Sequence, residues 1–281
     1  MNDSLKRKVE QSLKLLQTIG AAHPNEVIEV AYSGGKDSDV ILQLAKEAGL
    51  NFKAYYKNTT IDPPGTIKHA MEMGAEVVNP KKTFFELIKE KGTPSRFVRF
   101  CCRELKEYKI LDTCIVGVRR SESRKRAERY KEPTECRIYS KKEHVQMIYP
   151  ILAWEDEDVA EFIQTRGIKA HPLYYDEKGN FHVERRLGCI GCPMKSRRQR
   201  VEQFKQYPKL LQQWLKCVRV YRETHPNVKA VTSCGFRDEY DQMFFDLYCN
   251  SLEEYRNAVY GPDGEMRDTK MFFEIVFKID L

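Results

Sequence analysis

Two groups of residues in this 281-residue chain have types and spacing suited to chemistry. The first is the run Ser33-Gly34-Gly35-Lys36-Asp37-Ser38, which follows a Val- and Ile-rich segment at residues 26–32 and precedes a helical pattern at residues 38–48. A turn between a buried strand and a helix aims backbone N–H groups and the positive helix end at one spot, where an anion binds. Ser33, Gly34 and Gly35 let backbone approach a ligand closely, Lys36 adds a charge-assisted contact and Ser38 a hydroxyl donor. The spacing is neither that of the Walker turn nor that of the dinucleotide fingerprint. The second group is Cys101-Cys102 with Cys189-x-x-Cys192. Four thiolates from two distant places suit [4Fe-4S] or tetrahedral zinc. Adjacent side chains diverge on most backbones, which matches the separated iron corners of a cube better than a single zinc. Arg99, Arg103, Lys106, Arg185, Arg186 and Lys195 lie near these cysteines in sequence and can stabilise anionic sulfur.

Strands at residues 26–32, 52–57, 76–79, 113–118 and 145–149 alternate with helices at 4–19, 38–48, a stretch ending at Met73, and 83–91. That alternation predicts an α/β fold with an open parallel sheet and helices on both faces. Helical patterns follow at 155–165 and 197–223, with a Gly-, Pro- and aromatic-rich loop between them. A boundary near residue 153 is expected, giving a nucleotide-binding domain over 1–153 and a mainly helical appendage over 154–281 that carries the Cys-x-x-Cys.

The formal net charge is +7, which fits anionic partners, nucleic acid and small phosphorylated molecules alike. No apolar stretch has the length of a signal peptide or a membrane span, so the expected location is the cytoplasm, with no membrane partner. Nine cysteines in a reducing compartment point away from a disulfide framework and, where clustered, toward metal or redox chemistry.

At the glycine turn the sequence resembles the PP-loop of the adenine nucleotide alpha-hydrolase superfamily. The Cys-Cys pair followed by Cys-x-x-Cys in the same chain resembles the iron–sulfur type of the phosphoadenosine phosphosulfate (PAPS) or adenosine phosphosulfate (APS) reductase family. The resemblance extends to Asn58-Thr59-Thr60-Ile61-Asp62-Pro63-Pro64-Gly65, Gly117-Val118-Arg119-Arg120, Tyr149-Pro150-Ile151 through Trp154, Asp158-Val159, His171-Pro172-Leu173-Tyr174 and the residues flanking Cys189 and Cys192. It covers about residues 25–196. It implies an adenine nucleotide, ATP or PAPS/APS, on residues 33–38, Mg²⁺ held by Asp37 and Asp62, and Arg119 and Arg120 gripping phosphate or sulfate oxygens. It also implies a [4Fe-4S] cluster on Cys101, Cys102, Cys189 and Cys192. Members that cleave ATP between the α and β phosphates keep the complete turn, whereas sulfonucleotide reductases often have it altered. Here it is complete.

The leading expectation is therefore an enzyme that adenylates an acceptor and supports sulfur transfer, with Lys36, Asp37 and Arg119 at the reacting phosphate and a cysteine desulfurase or thioredoxin as sulfur partner. A second reading is thiol-dependent reduction of PAPS or APS to sulfite, with Cys234 as the nucleophile. The flanks of Cys234, Ser233 and Phe236-Arg237, differ from the reductases' Glu-Cys-Gly-x-His, and a structural thiol is the competing reading. A third is a nucleotide- or nucleic-acid-binding partner subunit that uses the basic run 185–209, which also reads as a charged helical surface. Cys114, Cys217 and Cys249 read as core thiols, and His69, His171 and His182 as structural.

Overall fold

The computed structural model describes residues 1–140, 143–227, 234–260 and 265–279. They fall into two compact units interleaved along the chain. The first comprises Met1–Asn58, Asp62–Pro80 and Lys106–Gly188; the second comprises Thr59–Ile61, Lys81–Leu105 and Cys189–Leu281. The expected division at residue 153 is not where the units part. Residues 154–188 belong with the first, and 81–105 leave it for the second, because each joins the core its apolar residues fill.

The first unit is built on strands β1 (Ile28–Tyr32), β2 (Phe52–Lys57), β3 (Glu76–Val78), β4 (Thr113–Ile115), β5 (Thr134–Ser140) and β6 (Glu143–Ile148), in the sheet order β3-β2-β1-β4-β6-β5. All neighbours pair in parallel except β5, which runs antiparallel to β6 at the edge. The parallel part is as expected; β5 is an addition. Its sequence, Thr-Glu-Cys-Arg-Ile-Tyr-Ser, alternates without an apolar face, as an edge strand can.

Helices surround the sheet. Helix α1 (Asp3–Ala22) is capped by Asn2, whose Oδ1 accepts from Leu5 N–H at 2.8 Å, and it buries Leu5, Val9, Leu16 and Ile19. Helix α2 (Lys36–Glu47) starts directly after the glycine turn, and α3 (Thr66–Glu72) follows the second loop. The helix Asp156–Thr165 opens on three acidic residues at its positive end. Central β1 is apolar on both faces, as a parallel strand buried between helices must be, except for buried Glu29, which Lys57 neutralises at 3.3 Å.

The second unit is helical. Thr83 and Glu86 form a capping box at the start of Phe84–Lys91, and the aromatic core is built from Phe84, Phe204, Trp214 and Phe273. The helix expected over 197–223 is two, Arg197–Gln206 and Pro208–Thr224, since Pro208 has no N–H to continue the first and suits the opening of the second. Among the described residues no helix is long and apolar enough to cross a membrane.

Candidate functional site

After Tyr32 the first unit's chain turns through Ser33, Gly34 and Gly35 into α2. Gly34 has φ +76°, and a Cβ there would sit 2.9 Å from the Thr66 methyl, so only glycine fits. Gly35 is the N-cap residue and offers no side-chain cap; Lys36 N–H reaches the Tyr174 hydroxyl at 3.3 Å and Ser38 N–H the Gly35 carbonyl at 2.9 Å, so the turn and the positive end of α2 are held in shape beside the ligand side. Ser38 Oγ donates to the Gly35 carbonyl at 2.6 Å and accepts from Ser33 Oγ at 3.3 Å, which fixes the turn.

The turn borders a cleft of about 400 Å³ lined by residues at the carboxyl ends of β1, β2 and β4. From β1 and β4 the strand order runs outward in opposite directions, so this is the switch point where open α/β sheets bind ligands. The tyrosines Tyr32, Tyr55, Tyr56 and Tyr174 line it together with Lys36, Lys57, Lys106, Arg126 and Arg186. These cations are held in place. Lys57 donates to the Tyr108 carbonyl at 2.6 Å and pairs with Glu29; Arg126 pairs with Glu122; Arg186 Nη2 donates to the Glu122 carbonyl at 3.0 Å.

Arg119 is placed differently from expectation. It is 1 % exposed and does not line the cleft. Its Nε donates to Asp37 Oδ1 and its Nη2 to Asp156 Oδ1, both at 2.6 Å, while Nη1 reaches Ser121 Oγ at 3.0 Å. A buried guanidinium needs these acceptors, and it fixes two carboxylates beside the turn. Lys36, 4 % exposed, stands 3.1 Å from Asp37 Oδ2 and 3.9 Å from Asp156 Oδ1. Both oxygens of Asp37 are thus engaged, and Mg²⁺ would have to displace an ion pair to reach them. Arg120 also departs from expectation: it donates to the Tyr130 carbonyl at 3.0 Å and to the Lys131 carbonyl, away from the cleft. Asp62 accepts from the Tyr56 hydroxyl at 2.5 Å, so it touches a cleft-lining side chain without lining the cleft itself.

Beneath the turn, buried Asp39 accepts from the Tyr32 hydroxyl and lies 3.3 Å from His69 Nε2. The His69 ring meets that of His171 edge-on at 5.5 Å. Burial, and after it the charge of His69, pull the His171 pKa down to about 4. Half-buried His182 is raised instead, by its hydrogen bonds to Asp176 and Glu184.

In the second unit, Cys101 and Cys102 lie in the helix Phe100–Leu105, and Cys189 and Cys192 on a loop laid over Phe204 and Trp214. Gly191, at φ +69°, permits that packing: a Cβ would stand 2.5 Å from the Phe204 ring. Cys189 Sγ is 3.6 Å from Thr59 Oγ1, Ile190 N–H donates to the Ile61 carbonyl at 2.9 Å, and Lys195 Nζ donates to the Cys189 carbonyl at 3.1 Å. The Cys101 thiol is pushed up by its hydrogen bond with Cys102, by burial, and by the charges of Cys102, Cys189 and Cys192. Those thiols therefore share one neighbourhood, although among the described residues no three His, Cys, Asp or Glu side chains form a ready-made metal-holding group. Lys106, Arg185 and Arg186, expected beside the sulfurs, belong to the first unit. Cys234 is half-buried against Phe236, Cys249, Tyr255 and Val259; Ser233 lies outside the described residues. In the basic run, Arg197 pairs with Asn250, and buried Arg200 binds the Gly191 carbonyl at 3.1 Å and Asp246, so both tie helices together where an RNA- or DNA-facing role was open.

The sequence profile of the phosphoadenosine phosphosulfate reductase domain matches residues 27–195, more than half of the chain, and spans the glycine turn and all four clustered cysteines. The chain belongs to the PAPS reductase family. Two uncharacterised proteins of Methanocaldococcus jannaschii are similar to this PAPS reductase family member, at 29 % identity over 214 residues and 28 % over 229. The matches take in 70 % and 76 % of this chain but 42 % and 53 % of those proteins, so the chain spans about half the length of these relatives. Sulfate adenylyltransferase subunit 2 of Bacteroides fragilis is 25 % identical over 207 residues, which are 61 % of this chain and 67 % of that protein. A PAPS reductase from Candida auris, solved as a phosphate complex, aligns with 67 % of this chain and 96 % of its own at 13 % identity and a TM-score of 0.45.

Sequence reasoning located this family's glycine turn and missed most of the cleft. Lys57, Lys106, Arg126 and Arg186 come from separate segments, and nothing in their local patterns marks them as converging. Asp156 had a signal, since acidic residues opening a helix near the Tyr-Pro segment were visible, but it read only as a helix start.

Proposed function

We propose that this PAPS reductase family member binds ATP in the first unit's cleft and cleaves it at the α-phosphorus to adenylate an acceptor, in support of sulfur transfer. The observation that carries this reading is the complete turn at residues 33–38 opening into a cleft ringed by Lys36, Lys57, Lys106, Arg126 and Arg186. Five cations set against the lining carboxylates Asp37 and Glu122 suit a polyphosphate, and the volume suits a nucleotide-sized ligand. An acceptor oxygen forms a bond to the α-phosphorus, the bond to the α–β bridging oxygen breaks, and pyrophosphate leaves with the electron pair. The acceptor's proton goes to solvent. Lys36 and the positive end of α2 face the charge that develops. Arg119 shares Asp37 and Asp156 with Lys36 and fixes both carboxylates beside the turn. Mg²⁺, brought by the triphosphate, would supply further charge neutralisation there, and Asp37 would reach it only by giving up an ion pair.

Cys101, Cys102, Cys189 and Cys192 fit a [4Fe-4S] cluster by donor chemistry: four sulfurs within one unit, with Cys101 sensing the others. Such a cluster would supply a place for sulfur to bind or electrons to pass. Reduction of PAPS or APS is the less supported reading, because Cys234 packs into an aromatic cluster.

Anaerobically purified, iron-replete protein given ATP and candidate acceptors, alone and with a cysteine desulfurase, is expected to release pyrophosphate and AMP-containing product. Sulfite from APS or PAPS with thioredoxin, lost in Cys234→Ser, would reverse the assignment. Zinc in place of iron would remove the cluster from it.

A further inference from the structure

Three apolar side chains of the second unit stand in water on the segments that carry the cysteines. Phe97 is 97 % exposed, Val98 61 % and Met194 55 %. Phe97 and Val98 precede Cys101-Cys102, and Met194 follows Cys192. The exposure is built in. Ser95 Oγ accepts from the N–H groups of Phe97 at 3.2 Å and Val98 at 3.0 Å, and Ser95 N–H donates to the Val98 carbonyl at 3.1 Å, closing a turn with the phenyl ring outward. Arg96 donates to the carbonyls of Pro193 at 3.0 Å and Lys195 at 3.3 Å, which fastens this turn to the segment that follows Cys192. The next residues add exposed Arg99 and Arg103, while Glu104 is held by Lys91 at 2.6 Å. The patch is apolar at its centre and positive around it.

We propose that this patch is the docking surface for a small acidic electron-carrier protein that serves the cysteine set, an inference that rests on the cluster reading above. Phe, Met and Arg are the side chains enriched in the cores of protein interfaces. Phe97 is a single ring flanked by the aliphatic surface of Val98 and Met194, not the succession of rings on which the bases of a strand stack, and that mixture favours protein over nucleic acid. A patch this small belongs with the weak, transient interfaces typical of electron transfer, and arginines beside it would steer an acidic partner and speed encounter.

The test is a titration of the full chain with an acidic [2Fe-2S] ferredoxin, read by calorimetry at low and moderate salt, with a single-stranded oligonucleotide as the second probe. The expected result is saturable micromolar binding that weakens about tenfold with added salt, as a screened charge complementarity does. Phe97→Asp and Arg99→Glu should each weaken it about tenfold or more, as interface-centre residues do, and Phe97→Leu should keep most of it. Circular dichroism checks that the variants fold. Cys189→Ser, which on the cluster reading holds no iron, should bind the ferredoxin as well as the native chain does, so failure of docking and failure of the cluster are separate results. Absence of saturable binding, indifference to Phe97→Asp, or dependence of oligonucleotide binding on these same residues would overturn the proposal.

Discussion

The glycine turn and the cysteine set handle charge in opposite ways. Around the turn the charges come in finished arrangements: Arg119 and Lys36 neutralise Asp37 and Asp156, and Asp39 is met by His69 and Tyr32. The turn keeps its shape by itself and can receive an anion without rebuilding. Around Cys101 the neighbours are further thiols, and burial and like charge favour protonated sulfur there. A cationic centre beside Cys101 would favour its thiolate, as metal binding to thiols generally does. On the function proposed above, one site is preorganised for its ligand and the other would be completed by it.

The sharpest way to break that contrast is Cys189→Ser in anaerobic, iron-replete preparations. Iron and acid-labile sulfide should fall to background while ATP affinity is unchanged; retained cluster, or lost ATP binding, would erase the distinction. Next in size is Arg119→Met, which removes the guanidinium's charge-assisted bonds to Asp37 and Asp156 while Lys36 stays beside Asp37, and should cost about 2 kcal/mol in urea unfolding. Adding Asp37→Asn should recover part of that loss in a double-mutant cycle, because the two residues share one ion pair.

Acid titration separates the units by pH window. The folded-state pKa of His171 is about 4 against an ordinary 6.5, so the unfolded chain takes up its proton first. The stability of the neutral ring is complete above about pH 6.5 and is lost as pH falls toward 4, by on the order of 2 kcal/mol. In the second unit, burial opposes ionisation of Asp241, but hydrogen bonds from Arg237 and Thr269 outweigh it and bring the pKa to about 2. Its contribution is present above pH 3.8 and goes as pH falls toward 2. Melting curves of His171→Gln should flatten between pH 6.5 and 4 and leave the lower window alone. The smallest effect belongs to Arg120→Ala, which removes only bonds to exposed-loop carbonyls; unfolding should shift by less than about 1 kcal/mol and ATP affinity should not move.

The parallel strands were legible because each is a short apolar run bounded by Gly or a polar turn, and residues 33–38 were legible because the turn's chemistry is local. What failed to show was whatever depends on distant partners. β5 has no apolar face, and only pairing with β6 makes it a strand. The helix at 83–91 read as one more unit of the sheet's alternation, yet Phe84 and Ile88 are buried with Trp214 and Leu215 in the helical core. Arg119 and Arg120 are adjacent in sequence and look equivalent there; one is buried between carboxylates and the other binds loop carbonyls, a difference set by Asp37, Asp156 and Tyr130 from elsewhere in the chain.

The most direct measurement of the central claim is equilibrium binding of ATP and of PAPS to the native chain and to Lys36→Ala. ATP should bind more tightly than PAPS, and Lys36→Ala should weaken ATP by about 30-fold, the equivalent of about 2 kcal/mol for a buried charge-assisted contact. PAPS binding more tightly than ATP, with neither affinity sensitive to Lys36, would contradict the account.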